Sequence, residues 1–210
     1  RPVRAHNPRG QVFKQLTVDA AALDADAIVS LPKFKAHRQV LLTVAIKNMF
    51  GCVGGRRKAW WHVKAGGYEN YFGRMLVETF EMLRPVVSIV DAIVAMEGKG
   101  PIHGTARPMG LVLAATDGPA LERVAADLVG IKPAQLRTLQ AARELGVGTP
   151  YLEHIEILGP PLAELRVLDF HFPLLLPIGF SLPRLVKGAF KNAWIVHQQA
   201  RRQASRVNPA

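Results

Sequence analysis

The stretch Asp26-Ala27-Ile28-Val29-Ser30-Leu31-Pro32-Lys33-Phe34-Lys35-Ala36-His37 decides the fold. Ala27 to Leu31 is a short aliphatic run, introduced by Asp24 and Asp26 and closed by Pro32, and it reads as a buried strand. If the residues after Pro32 are extended, Lys33, Lys35 and His37 fall at alternate positions and project to one side, a row of donors at a strand end. Such a row suits a phosphate or a carboxylate; it equally suits the solvated exit of a strand.

On the N-terminal side, Gln11 to Val18 alternates with period two and reads as another strand. On the C-terminal side, Leu41 to Met49 fits either period; Ala45, Lys47 and Met49 favour a helix, which Gly51 stops. Gly54 to Gly67 reads as a loop. Asn70 to Arg84 is expected to be helical, because Phe72, Met75, Leu76, Thr79, Phe80 and Leu83 recur at three- and four-residue spacing before Pro85. Val86 to Val94 is an aliphatic strand holding Asp91, followed by a glycine-rich loop from Glu97 to Gly104 and a strand from Met109 to Thr116. Asp117 precedes a helix through Leu128, Pro133 to Leu145 supplies another, and Ile155 to Leu158 a last short strand. Strands alternating with helices predict an α/β fold, a mixed sheet with helices packed on it.

The texture changes after Gly159-Pro160-Pro161, so the expected division is an α/β domain over 1–159 and an appendage over 160–210. Phe170 to Pro183 is apolar and broken by prolines. Arg184 to Gln203 is expected to form a basic amphipathic helix with Leu185, Val186, Ala189, Phe190, Ala193, Trp194 and Val196 on one face. That helix either docks on the domain or a second copy, or lies on a membrane surface.

Composition narrows the classes. The chain has 210 residues, of which 49% are hydrophobic, enough for one core with appendages. Its longest aliphatic runs fall far short of the roughly 20 residues a spanning helix needs. It opens on Arg1 without a charged-then-apolar leader, so the natural chain is expected to start upstream, and a cytoplasmic setting is the default expectation. The single cysteine, Cys52, excludes an internal disulfide and reads as a buried, inert thiol. The 27 Lys+Arg outnumber the 16 Asp+Glu, giving +11, concentrated at the front, around Arg56 to Lys64, and from Arg184 to Arg206. No helix-turn-helix, zinc-finger or aromatic RNA-binding signature accompanies that charge, which speaks against specific nucleic-acid readout and leaves a solvated basic surface or peripheral contact with an acidic membrane.

Several residues carry possible chemistry. Lys47 and Asn48 sit in an otherwise aliphatic helix, where a lysine must reach a carboxylate, a ligand or solvent; desolvation would suit it to work as a base or Schiff-base nucleophile. Asp91, inside an aliphatic strand, calls for a cationic partner, and Lys33, Lys35 or Lys47 could supply it. Gly98 and Gly100 would let backbone amides approach an anion, although Pro101 removes a donor and the phosphate-loop consensus is absent. His37, His62, His103, Asp91 and Glu97 lack the spacing of a metal site, and no serine nucleophile elbow appears. The expected site therefore has Lys47, His37 and Asp91 for proton transfer, and Lys33, Lys35, Asn48, Glu97, Gly98 and Gly100 to hold an anionic small molecule. The alternative is an accessory protein for redox or membrane assembly, acting through the basic C-terminal helix.

The run from Asp26 to His37, then Thr43-Val44-Ala45-Ile46-Lys47-Asn48-Met49-Phe50-Gly51, then Val90-Asp91-Ala92-Ile93 with Met96-Glu97-Gly98-Lys99-Gly100-Pro101, resembles the family called domain of unknown function 362. Thr116-Asp117 and Gly130 are similar too, and the motifs stand in register over Leu16 to Gly159. The resemblance implies association with iron–sulfur proteins, since many members carry a ferredoxin-like segment with Cys-x-x-Cys spacing; some carry export signals, and members usually have a further part before the Lys-x-Lys-x-His motif. With Cys52 alone this chain cannot ligate a cluster by itself, so a redox role would require a ferredoxin-like partner, and its cofactor stays unassigned. Where the family tends to have an Asp in the helix after Asp117, this chain has Glu122.

Overall fold

The computed structural model describes residues 1–54, Trp61 and 70–177. In chain order these form β1 (Pro2–His6), β2 (Gln15–Asp19), α1 (Ala20–Asp24), β3 (Val29–Ser30), β4 (Lys33–His37), β5 (Leu41–Thr43), α2 (Ala45–Met49), α3 (Tyr71–Leu83), β6 (Val87–Lys99), β7 (His103–Ala115), α4 (Gly118–Leu128) and α5 (Arg137–Leu145). The fold is α/β, a mixed sheet with helices packed against it.

Strand β6 organises the main sheet. β3 and β4 follow one another along one of its sides, both parallel to it, and β7 runs antiparallel along the other. β5 extends the sheet beyond β4, while β1 and β2 pair separately. Side chains alternate between the faces of a strand. Ser30, Phe34 and Ala36 from β3 and β4, with Ser88, Val90, Ala92 and Ala95 from β6, are buried on the face that carries α2 and α4, and α3 packs against α2. Val29, Leu31, Ile93 and Val112 stand exposed on the other face.

The helix ends follow local rules. Asp117 caps α4 by accepting from the Ala120 amide at 2.9 Å, α3 stops at Arg84 ahead of Pro85, and α5 ends on Gly146 in the left-handed region. Helix α2 has no cap of its own; its first amides turn to Glu122 of α4, the Ile46 amide donating at 3.0 Å.

Several sequence expectations change. Leu41 to Met49 is a strand and then a helix, because Leu41 turns at φ 70° and Leu41–Thr43 pairs back on Lys35–His37 before α2 begins. The expected loop from Glu97 to Gly104 narrows to Gly100–Ile102, since β6 and β7 stay paired out to Lys99 and His103. Gly100 is required there by contact: a Cβ on it would lie 1.9 Å from the Ala36 carbonyl oxygen. Ile155 to Leu158 forms no strand; a cavity of about 570 Å³ separates it from the edge of β7.

Residues beyond Gly159 pack on the domain. The Val167 amide donates to the Leu128 carbonyl at 2.7 Å, Phe170 is buried with its ring 5.8 Å from that of Phe34, and the Leu176 amide donates to the Arg38 carbonyl at 2.6 Å. The expected basic helix at 184–203 lies outside the described residues, as do His62 and most of the 54–67 loop.

The strand expected from Gln11 begins only at Gln15, because the preceding amides have another acceptor. Gln11 and Val12 donate to Glu78 Oε1 at 2.8 Å each and Phe13 donates to Oε2 at 2.6 Å, with the carboxylate buried in α3. Replacing Glu78 by Ala strands three amides and lowers the unfolding free energy by about 3 kcal/mol or more, whereas Glu78→Gln loses less. Urea denaturation of the two variants reads the difference.

Candidate functional site

The alternation of β4 sends Lys33 and Lys35 to the open face of the sheet and Phe34 and Ala36 into the core. Lys33 lies in register with Asp91, and its Nζ is 2.8 Å from Asp91 Oδ2. Asp91 Oδ1 accepts from the Ile93 amide at 3.1 Å. The lysine and then that amide hold the Asp91 carboxyl below its ordinary value. The cationic partner foreseen for Asp91 is thus Lys33. Its burial is not observed: both side chains are about half exposed, so solvent screens the pair and it adds little to stability.

His37 ends β4 and is buried. Its Nδ1 accepts from the Gln39 amide at 3.1 Å, which leaves the proton of the neutral ring on Nε2.

Lys47 and Asn48 belong to the covered face. Asn48 Nδ2 donates to Ser30 Oγ at 3.0 Å, and Lys47 Nζ stands 4.6 Å from the centroid of the Phe50 ring. The sheet therefore separates Lys47 and Asn48 from Lys33, Lys35 and Asp91. Beneath α2 lies Glu122, buried, accepting from the Ile46 amide and from Thr138 Oγ1. Burial pushes its carboxyl up to about 7, against the opposing pull of the hydrogen bonds from Thr138, Ile46 and Lys47.

Glu97, Gly98 and Gly100 form a third group, at the tip of the β6–β7 hairpin. Glu97 is buried and accepts from the His171 amide at 3.0 Å, with His171 Nδ1 at 3.2 Å. Arg107 lies 4.0 Å from Glu97 and 2.5 Å from Asp169, which raises the Arg107 pKa and lowers that of Asp169. The Gly98 amide donates to the His171 carbonyl and the Gly100 amide to the Gly98 carbonyl, each at 2.7 Å. Both amides are thus engaged within the chain, and the Gly98 amide latches the C-terminal segment to the hairpin.

Eight of the nine expected site residues fall in these three places and His37 stands apart at the buried end of β4; none of the nine lines the cavity beside β7 or a second one between the end of α3 and the start of α4. Sequence reading passed over the partners that complete each group: Ser30, Thr138, Arg107, Asp169 and His171. Glu122 had a signal of its own, a carboxylate among Leu121, Ala125 and Leu128 in the apolar stripe of α4. Among the described residues, no three His, Cys, Asp or Glu side chains are gathered closely enough for a metal ion.

The geometry defines a two-layer α/β domain with an ionic, partly aliphatic open face. The family model described as Domain of unknown function (DUF362) matches residues 2–127, and the chain belongs to that family. It is also 43% identical over 184 residues to "Thylakoid-associated protein sll1697" of Synechocystis sp., covering 87% of this chain and 57% of that relative. The chain thus spans little more than half the length of the curated relative it matches. No solved structure matches it.

The raised pKa of Glu122 has a defined sign. An acid whose pKa is higher in the folded state binds more protons there, so this group makes stability fall as pH rises from about 4.5 to about 7 and then level off. In Glu122→Gln the stability difference between pH 5 and pH 8 shrinks by roughly 2–3 kcal/mol, measured by urea denaturation at the two values.

Proposed function

We propose that this domain is an accessory domain that works at an anionic membrane surface, through the end of its described chain and the basic segment that follows. The observation that carries the reading is Leu174-Leu175-Leu176, which lies exposed between Pro173 and Pro177, Leu174 being 91% exposed. The run is fixed in place by the bond from Leu176 to the Arg38 carbonyl, at the end of β4. From Ile178 to Ala210 the sequence then holds six Lys and Arg and no Asp or Glu. Exposed leucines beside a cationic segment match the chemistry of a lipid interface, where each nearby Lys or Arg adds about 1 kcal/mol on an anionic bilayer. The thylakoid association in the relative's name supports the same reading. Among the described residues no helix is long and apolar enough to cross a membrane, so the contact proposed is peripheral.

A second reading, an anionic small molecule held on the β4 row, is favoured by the projection of Lys33 and Lys35 to one face. Because Asp91 already pairs with Lys33, this reading rests on Lys35. Calorimetric titration with inorganic phosphate gives saturable heat that Lys35→Met removes; the same heat in both proteins refutes it.

For the membrane reading, the full chain is sedimented with phosphatidylglycerol vesicles and with phosphatidylcholine vesicles. The expected result is binding to the anionic vesicles that weakens at high salt and drops at least fivefold in the Leu174→Ser/Leu175→Ser variant. A chain that stays in the supernatant at low salt, or a variant that binds as well as its parent, overturns the reading.

A further inference from the structure

β7 is an edge strand. It pairs with β6 along one side, and among the described residues it makes no other backbone–backbone hydrogen bond. Antiparallel pairing with a single neighbour leaves about half of a strand's N–H and C=O groups turned outward. The cavity of about 570 Å³ lies along that free edge, where every residue from Leu111 to Ala115 lines it. Successive side chains point to opposite faces, so an unbroken run of lining residues places the space at the edge of the strand and not over one face. Glu156 to Pro160 form the opposite wall, and they too make no backbone–backbone hydrogen bond among the described residues. Leu121, Val124 and Leu128 line the cavity from α4.

We propose that this cavity seats a partner polypeptide that enters as an extended strand beside β7, with aliphatic residues at alternate positions turned to α4 and Lys or Arg at the positions between. The membrane reading is not needed for it. Backbone chemistry selects a strand: it meets an open edge with donors and acceptors at matching spacing, whereas a hydrocarbon would leave them unpaired. Charge selects its polar residues. No Lys or Arg lines the cavity, while Asp117, His154 and Glu156 do. Glu153 and Glu164 stand on the same stretch as Glu156. The arginines of the bounding elements are engaged, Arg107 of β7 with Asp169 and Glu97, and Arg123 of α4 with Asp127. Asp127 also pairs with Arg166, and Glu122 is buried against α2. His103 lies at the far, hairpin end of β7. On a chain of net charge +11 this edge is an acidic site, which favours a cationic strand over an anionic one.

The test follows amide hydrogen exchange of the full chain by mass spectrometry, with and without an acetylated and amidated heptapeptide that alternates Lys and Val. The basic surfaces of the chain repel such a peptide, so its binding reports a local site. The expected result is exchange slowed at least fivefold over 111–116, slowed also over 156–160, and unchanged over 174–177. N-methylating the valine amides in one form and the lysine amides in another removes the protection in at least one of them, because a strand pairs with β7 through alternate residues. The variant Glu156→Lys/Leu158→Lys, altered at two exposed positions, keeps the parent's urea midpoint and needs at least tenfold more peptide. Protection that survives both N-methylated forms assigns the cavity to an apolar ligand and overturns the strand. Protection of 111–116 that grows with protein concentration in the absence of peptide assigns the edge to a second copy and does the same. An equal response to the peptide with Glu in place of Lys overturns the charge selection, and no protection at millimolar peptide overturns the proposal outright.

Discussion

Pairing along β6 is the constraint on which the remaining structure depends. One strand carries β3 and β4 on one side and β7 on the other, so its two-residue period, which slips between Ala92 and Val94, is imposed on all of them. A shift of one residue would bring Asp91 into the core and expel Val90 and Ala92. The alternation also explains why polar residues that crowd together in sequence do not form one site. Lys33 and Lys35 follow the outward positions of β4, while Lys47 and Asn48 ride on a helix laid against the inward face. Proximity along the chain between residues 33 and 48 is thus undone by the thickness of a sheet.

Two buried carboxylates hold the layers in this arrangement, and each does so by accepting backbone amides that secondary structure leaves unpaired. Glu78 takes three from the segment before β2. Glu122 takes the first amides of α2, a helix only five residues long with no capping side chain of its own. Buried polar groups are tolerated when they are satisfied in this way, and satisfying them fixes the position of the elements they join. Lys47 and Asn48 owe their placement to α4, through Glu122, more than to their own helix.

The sequence made the fold class legible because its strongest signals were periodic: the aliphatic runs of β3 and β6, the apolar stripe of α3, and Asp117 ahead of α4. The elements it misread depend on partners distant along the chain. Gln11 to Phe13 looks like strand and is diverted to Glu78; Leu41 to Thr43 has a helical alternative until β4 pairs with it; Ile155 to Leu158 has strand composition and no strand to pair with. In the candidate site, the need of Asp91 for a cation was legible from its place in an aliphatic strand, but Lys33, Lys35 and Lys47 stood level as partners until the β4–β6 register selected Lys33. The latch of Glu97 with His171, Arg107 and Asp169 was not, because it joins the hairpin to residues that read as an appendage.

That latch bears on function. By fixing residues 169–171 to the hairpin, and through the Leu176 bond to Arg38, the fold delivers the C-terminal segment to one end of the open face. In the membrane reading, burying the exposed Leu174–Leu176 run contributes about 25 cal/mol per Å² on any bilayer, neutral or anionic, so hydrophobicity alone selects no lipid. The six Lys and Arg that follow Pro177 in sequence supply the selection, because each gains attraction only at a surface of opposite charge, and that increment diminishes with ionic strength.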